Sequence, residues 1–387
     1  MIPQGLEEEL KLRAGRIAAM LKEQSIDAIL IGDNANLYYT AGRVFGGYSY
    51  ITADGAVTYF VKRPIGLKGI NVAYIRKPEQ IAELLPVMPR VVALELDLAS
   101  YSEVTRLSKV FAGARVENGS PIMRRCRSVK TEQEMDKIAQ NGVLHQAAYS
   151  FIPKVYKKGM TDLELQIEME RVLRLNGCLG QFRICGGSME LFMGNVLCGD
   201  NADNPASYDF AMGGAGLDPS LPVGCNGTKI MPGTTVMVDM CGNFNGYMTD
   251  MTRSYYAGTL NPTAERAHQL SIDILHRIQS TAREGTEAKE LYNLAVEMAR
   301  VAGLDDYFMG HAQKAGFIGH GVGIEVNEAP VLAPRSRDVL TQGNVIAIEP
   351  KFVIPGVGAV GVENTYVLKA GRLECVTQAP EEIIELK

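Results

Sequence analysis

Five residues in the second half of the chain have side chains that could bind metal ions. They are one histidine and four acidic residues, each at the end of a short apolar run: Asp239, Asp250, His320, Glu349 and Glu363. Two divalent ions would balance the charge of the four carboxylates. Ligation by oxygen and one imidazole suits Mn²⁺, Co²⁺, Fe²⁺ or Zn²⁺, whereas a structural zinc site would use thiolates. The set therefore predicts a metal-dependent hydrolase that holds two divalent ions.

The spacing of the four acidic residues predicts two hairpins that bring them together. A hairpin folded about Phe244-Asn245 would place Asp239 across from Asp250, and one folded about Gly356 would align the two glutamates likewise. Directly opposed like charges destabilise a bare hairpin, so two such pairs on apolar strands require cations to neutralise them. The alternative is that all four carboxylates are solvated at strand edges.

An internal repeat supplies the elements that would position these hairpins. Capping-box pairs at Thr131–Glu134 and Thr161–Glu164 predict two helices, the second of which ends near Gly177. The same plan recurs from Thr263 to Gly303, and each helix pair precedes glycine-rich loops and a hairpin with two acidic residues. The simplest architecture is an α+β domain with an internal pseudo-two-fold repeat, in which two half-sheets close around a shared centre.

The N-terminal part of the chain predicts a separate α/β domain. An amphipathic helix from Glu7 to Glu23 precedes DAILIGDNANLYYTAG, which is typical of an apolar strand that runs into a polar turn. The pair Asp54-Gly55 is a turn signal between two hairpin strands. The Asn-Gly-Ser-Pro segment at Asn118–Pro121 predicts the domain boundary, so the domains are assigned to residues 1–122 and 123–387.

Composition excludes several classes of partner. The chain has 387 residues, a net charge of −5 and no basic cluster, which argues against nucleic acid or an anionic membrane surface as the main partner. No stretch approaches 18 apolar residues, and the N-terminus has no signal-peptide core, so we expect a cytoplasmic protein. The seven cysteines contain no C-x-x-C motif and predict reduced thiols. Cys241, two residues after Asp239, is interpreted as a small buried apolar residue rather than a metal ligand.

Four segments carry a resemblance to a known family: VMVDMCGNFNGYMTDMTRSYYAG, GHGVGIEVNEAP, AIEPKFVIPG and GVENTYVL. They resemble the creatinase, methionine aminopeptidase and prolidase family, which has the pita-bread fold. The similarity runs from about Thr131 to the C-terminus, and GDNANLYYTAG resembles the accessory N-terminal domain of prolidases, creatinases and Xaa-Pro aminopeptidases. The resemblance also implies a homodimer.

The resemblance assigns a role to each candidate ligand. Asp239 would bind one metal ion, His320 and Glu349 would bind the other, and Asp250 and Glu363 would bridge the pair. A metal-bridging water would attack an amide carbonyl, and Glu349 would take the proton of this water and pass it to the leaving amine.

Three histidines that many family members have near this centre are absent. Their positions are Val223, Asn327 and Gly316. Removing one oxyanion donor costs about 3 kcal/mol of transition-state stabilisation. Asn327 can still donate a hydrogen bond through its amide, and His311 is the remaining candidate to replace a lost imidazole, whereas Val223 can donate nothing. The resemblance therefore implies retained chemistry with altered specificity.

The prediction is a metallohydrolase that resembles Xaa-Pro aminopeptidases and dipeptidases and acts on a short peptide or another small molecule. One alternative is a hydrolase or lyase of a small zwitterion, as in creatinase or the dimethylsulfoniopropionate-lyase relatives. The other is a non-catalytic binding protein, which an exposed extension or basic tail would favour. The run Met189–Met193 is a candidate for the pocket wall, with core packing as the alternative.

Overall fold

The chain forms two compact units, Met1–Arg127 and Ser128–Lys387. The computed structural model describes residues 5–69, 71–185, 193–208 and 210–387. The boundary that the sequence predicts after residue 122 falls inside a helix that runs from Ser120 to Ser128. The run Met189–Met193 lies outside the described residues except for Met193.

The first unit is built on a mixed six-stranded sheet, as expected for an α/β domain. In chain order its elements are α1 (Glu7–Glu23), β1 (Ala28–Ile31), α2 (Asn34–Ala41), β2 (Gly46–Thr52), β3 (Val57–Arg63), β4 (Val72–Tyr74), α3 (Gln80–Leu84), β5 (Val91–Leu94), α4 (Tyr101–Val110), β6 (Arg115–Asn118) and α5 (Ser120–Ser128). The strand order is β4-β3-β2-β1-β5-β6. Strand β1 lies antiparallel to β2 and parallel to β5.

Two local predictions for this unit are confirmed and one is wrong. Helix α1 has the predicted bounds, and β2 pairs with β3 across a turn in which Gly55 has a φ of +91°. The segment after β1 was predicted to be a polar turn, but it forms α2. The carboxylate of Asp33 caps this helix by accepting hydrogen bonds from the backbone N–H groups of Ala35 and Asn36.

The described part of the second unit contains two larger sheets, a separate hairpin, four long helices and one short helix. The long helices are α6 (Glu132–Tyr149), α8 (Asp162–Leu175), α9 (Pro262–Thr281) and α10 (Ala288–Val301), and the short one is α7 (Ile152–Val155). The strands are β7 (Gly194–Cys198), β8 (Thr235–Gly242), β9 (Thr249–Ala257), β10 (Gly319–Val322), β11 (Val326–Val331), β12 (Val345–Ile348), β13 (Lys351–Ile354), β14 (Gly358–Gly361), β15 (Asn364–Lys369), β16 (Arg372–Cys375) and β17 (Ile384–Leu386). The sheets have the orders β17-β9-β8-β7 and β11-β10-β12-β15-β16, with β13-β14 paired alone.

The predicted repeat is present in this unit. Both capping boxes are formed, at the start of α6 by Thr131 with Glu134 and at the start of α8 by Thr161 with Glu164. Helices α6 and α8 share a buried apolar cluster with β7, β8 and β9. Helices α9 and α10 share another with the strands of the five-stranded sheet. Each helix pair therefore covers its own half-sheet, which confirms the α+β architecture.

No helix in the described ranges is both long enough and apolar enough to cross a membrane.

Candidate metal centre

The five candidate ligands converge in the second unit. Asp250, His320 and Glu363 each offer a ligand atom, and these atoms lie within 4.8 Å of one another. Asp239, Glu349 and Glu363 form a second set by the same measure. Four of the five residues are buried, and Asp239 retains a side-chain exposure of 20%. The predicted convergence is confirmed, while the individual roles as ligands remain predictions.

The first hairpin, β8–β9, has a different register from the one predicted. Asp239 lies opposite Thr252 and Asp250 lies opposite Cys241, so the two aspartates are diagonal neighbours on one face. The turn is centred one residue later than predicted. In the loop between Gly242 and Thr249, the side-chain oxygen of Asn243 accepts a hydrogen bond from the backbone N–H of Gly246 at 2.9 Å. The offset places the two like charges farther apart than a direct cross-strand pair would.

The second hairpin has the predicted register. Ile348 lies opposite Asn364, and Lys351 lies opposite Gly361, so Glu349 and Glu363 correspond across the hairpin. The ladder is interrupted between these pairs.

A side chain from α9 fills that interruption. The Ser271 hydroxyl donates to the carbonyl of Pro350 at 2.5 Å and accepts from the N–H of Val362 at 2.9 Å. The glutamate backbones find other partners: Glu349 N–H donates to the carbonyl of Ile318 at 2.9 Å, and Glu363 pairs with Thr252 of β9. The bridge between Thr252 and Glu363 joins the two halves of the repeat at the centre.

His320 faces two of the carboxylates from β10. Its Nε2 lies 3.4 Å from Glu349 Oε1 and 3.7 Å from Asp250 Oδ2. Its Nδ1 lies 3.1 Å from the carbonyl of Gly321 and 3.4 Å from the backbone nitrogen of Asn327. Burial by itself would lower the pKa of His320, but the carboxylates of Glu349 and Asp250 outweigh it and raise that pKa.

A lysine that the sequence analysis did not consider stands among the carboxylates. The Lys351 ammonium is fully buried and lies 2.6 Å from Glu349 Oε2, 2.8 Å from Asp239 Oδ2 and 3.3 Å from Glu363 Oε2. Burial opposes the charge, but the three carboxylates raise the pKa of Lys351 well above its usual value. A signal was available, since Lys351 follows Glu349 by two residues and alternation along a strand puts such residues on one face.

The same ammonium controls the ionisation of Glu349. Burial would raise the pKa of Glu349, but Lys351 and His320 lower it to about 2. Glu363 behaves in the opposite way, because burial and the charge of Asp250 raise its pKa well above the usual value. The Oε2 of Glu363 accepts from Thr252 Oγ1 at 2.7 Å, whereas its buried Oε1 has no partner among the described residues.

Cys241 donates its thiol hydrogen to Asp250 Oδ1 over 3.2 Å. Burial and the charge of Asp250 raise the pKa of Cys241 well above its usual value, so it is present as a neutral thiol. Burial and Asp239 raise the pKa of Asp250 itself.

These contacts test how well a metal centre fits. Asp250, His320 and Glu363 combine oxygen and nitrogen donors with an orphaned buried oxygen, and this set fits one divalent ion. The set of Asp239, Glu349 and Glu363 already holds an ammonium within hydrogen-bonding distance of all three carboxylates. The residues present therefore fit a metal ion held by Asp250, His320 and Glu363. They do not fit a second ion held by Asp239, Glu349 and Glu363 while the Lys351 ammonium occupies that position.

A cleft with a free volume of about 50 Å³ opens onto the centre. Its described lining includes the five candidate ligands, Asn327 and an apolar wall of Phe182, Ile184, Phe210, Met212, Phe317 and Val326. Asn327 is thus placed where a substrate could reach it. Val223 and His311 are absent from this lining, and His311 pairs with Asp203 at 2.9 Å, so the geometry gives no support to either as a substrate contact.

Arg253 is a second buried cation that the sequence analysis missed, although a charged residue inside an apolar strand is a recognisable signal. It lies behind the centre on β9 and donates to the carbonyls of Thr252 at 2.7 Å and Glu363 at 2.9 Å. It also donates to the carbonyls of Ala379 at 2.7 Å and Pro380 at 2.6 Å. The guanidinium therefore ties both hairpins to residues near the C-terminus.

Two family models match the chain. Residues 136–370 match metallopeptidase family M24, and residues 13–129 match the creatinase/prolidase N-terminal domain. The M24 match alone spans more than half of the chain.

Similar proteins include peptidases with known structures. The Xaa-Pro dipeptidase of Pyrococcus furiosus is 25% identical over 382 residues, which cover 97% of this chain and 100% of that protein. The structure of an Xaa-Pro dipeptidase from Bacillus anthracis matches with a TM-score of 0.81 at 21% identity, over 97% of this chain and 100% of that one. An X-Pro aminopeptidase from Thermotoga maritima matches with a TM-score of 0.79 at 22% identity, over 96% and 99%. The structural matches show a shared fold.

Proposed function

The chain belongs to metallopeptidase family M24 and has the pita-bread fold, and we propose that it is a metal-dependent hydrolase of short Xaa-Pro peptides. The observation that carries the proposal is the buried set of Asp250, His320 and Glu363, in which one carboxylate oxygen lacks a partner among the described residues. A buried, unpaired carboxylate oxygen is costly unless a ligand satisfies it. A divalent cation is the ligand that fits this donor set.

The metal ion and the residues around this set would have separate roles in amide hydrolysis. A bound metal ion would polarise the scissile carbonyl and lower the pKa of the attacking water. Glu349 is the group best placed to accept the water's proton, because its Oε1 faces His320 at 3.4 Å while its Oε2 is held by Lys351. The same carboxyl group would then return the proton to the leaving amine.

The lining of the cleft narrows the substrate class. Phe182, Phe210 and Phe317 offer an apolar surface for a proline ring or another apolar group. Among the described lining residues the ring of His320 is the only basic side chain, so a substrate carboxylate close to the scissile bond has no strong counter-charge there. We therefore propose a preference for Xaa-Pro peptides whose carboxylate is distant or amidated over free Xaa-Pro dipeptides.

The same acidic lining favours a second candidate. Four carboxylates around the cleft would attract a small substrate that carries a fixed positive charge, such as a betaine or a guanidino acid. Under this hypothesis the protein is a hydrolase or lyase of a non-peptide substrate and has the same fold.

A substrate panel distinguishes these candidates. Metal-free protein is reconstituted with Mn²⁺ and offered an Xaa-Pro dipeptide, its amide, an Xaa-Pro tripeptide, a betaine and a guanidino acid, with products followed by mass spectrometry. We expect release of the N-terminal residue from the amide and the tripeptide, loss of activity with a chelator, and recovery when Mn²⁺ is restored. Turnover of the betaine or guanidino acid alone would move the protein to the second candidate.

A pair of histidine variants supplies the control for this experiment. His320→Ala should lower peptide hydrolysis at least 100-fold, because it removes a metal-binding nitrogen and its hydrogen bonds. His276→Ala removes an exposed imidazole paired with Glu381 and should leave the rate unchanged. Equal activity in the two variants would contradict a metal centre at His320.

We also propose a cytoplasmic homodimer. The homodimer is the family expectation, and light scattering on the purified chain would test it. All seven cysteines are free thiols in the structure, which accords with a reducing compartment.

A further inference from the structure

The second hairpin contains its own cation at the centre. The Lys351 nitrogen lies within 3.3 Å of one oxygen from each of Asp239, Glu349 and Glu363. These are the same three residues whose ligand atoms form the second set capable of holding a metal ion. An ammonium and a metal ion cannot share that position, since both need the same oxygen lone pairs.

The backbone around Lys351 is shaped for a buried side chain. Gly361 lies directly across from it with a φ of +151°. A Cβ on Gly361 would come within 2.8 Å of the Pro350 carbonyl oxygen, 2.9 Å of Lys351 Cα and 3.1 Å of Lys351 Cγ. The carbonyl of Lys351 also accepts from the N–H of Met309 at 2.8 Å, which fixes the strand. Glycine at 361 therefore leaves the space that the lysine stem occupies.

The charges of the centre agree with one metal ion. Four carboxylates carry four negative charges, of which Lys351 balances one and a single divalent ion balances two. One net negative charge remains at the centre. A second divalent ion beside Lys351 would instead give the buried centre a net positive charge.

We propose that the Lys351 ammonium takes the place of one of two metal ions, so that this chain binds a single divalent ion at Asp250, His320 and Glu363. The inference rests on the proposed metal-dependent function and specifies its metal content. Lys351 acts as a positioning residue that holds Asp239 and Glu349, and Asp239 becomes a partner of the lysine rather than a metal ligand.

Metal content of the whole chain tests this proposal directly. Metal-free protein is titrated with Mn²⁺, the bound metal is counted by mass spectrometry after desalting, and the electron paramagnetic resonance spectrum is recorded. The wild-type chain should bind one Mn²⁺ and give the six-line signal of an isolated ion. Lys351→Met removes the ammonium while keeping an unbranched stem, and it should bind two ions with a spin-coupled spectrum.

Matched variants separate the role of Lys351 from general damage. Lys130→Met also removes a buried lysine that pairs with a glutamate, in this case Glu328 at 3.0 Å, and it should still bind one ion. Asp239→Asn should keep one ion with an affinity within about fivefold of wild type, whereas Asp250→Asn should lower the affinity more than 100-fold. These two aspartate variants test the proposal even if Lys351→Met fails to fold.

The outcomes distinguish this inference from the proposed function. Two ions in the wild-type chain, one ion in both the wild type and Lys351→Met, or equal losses in the two aspartate variants would overturn the role of Lys351 and leave a metal-dependent hydrolase standing. No bound metal in the wild type or in any variant would overturn the proposed function, and this inference with it.

Discussion

The two hairpins of the centre deal with the repulsion between their acidic residues in different ways. In β8–β9 the aspartates are offset diagonally, and the residue two positions after Asp239 is the neutral thiol of Cys241. In the second hairpin the glutamates correspond across the strands, and the residue two positions after Glu349 is the ammonium of Lys351. The first hairpin thus offsets its like charges, whereas the second carries an internal counter-charge. That counter-charge also pairs with Asp239 of the first hairpin at 2.8 Å.

The largest expected effect comes from removing that counter-charge. In metal-free protein Lys351→Met should lower the free energy of unfolding by about 3–5 kcal/mol, because it leaves buried carboxylates without their partner. Guanidinium chloride unfolding in the presence of a chelator measures this change, and added Mn²⁺ should restore much of the lost stability. Unchanged stability without metal would mean that the two hairpins do not differ as described.

A smaller effect is expected from the hydroxyl that interrupts the second hairpin. Ser271→Ala should cost about 1–3 kcal/mol, because the buried Pro350 carbonyl and Val362 N–H both lose their hydrogen-bond partner. Thermal unfolding of the two variants Ser271→Ala and Ser280→Ala checks this, since Ser280 lies on the same helix but is exposed. A destabilisation as small as that of the Ser280 variant would show that water replaces the hydroxyl.

The smallest effect is expected in the first hairpin. Cys241→Ala removes one weak thiol hydrogen bond to Asp250 and should cost less than about 1.5 kcal/mol, with no change in the number of bound metal ions. Thermal unfolding and metal counting on the same sample check both statements. A loss of metal on this substitution would show that the thiol is a ligand, against the interpretation of Cys241 as a buried apolar residue.

The features that were predicted correctly from the sequence depend on local or alternating patterns. The capping boxes at Thr131 and Thr161 use side chains three residues apart, and both helices begin where those pairs place them. The register of the second hairpin followed from a tight turn about Gly356, which has a φ of +76°. These signals need no knowledge of tertiary contacts.

The features that were missed depend on contacts between distant segments or on local side-chain bonds within a turn. The side-chain oxygen of Asn243 accepts a hydrogen bond inside the first hairpin loop, and the carboxylate of Asp33 caps a helix where a turn was predicted. Lys351 does not stand out as a metal ligand in the sequence, because its side chain is itself a cation. Its partners Asp239 and Glu363 come from other strands, so only the fold reveals the cluster.

The guanidinium of Arg253 has a consequence for the biosynthesis of this protein. Its acceptors include the carbonyls of Ala379 and Pro380, and β9, which carries Arg253, pairs in parallel with β17 at Ile384–Leu386. These segments are translated more than a hundred residues after Arg253 itself. Until residues 379–386 have left the ribosome, the guanidinium therefore lacks these two acceptors, and we expect the centre to mature only after that segment has emerged.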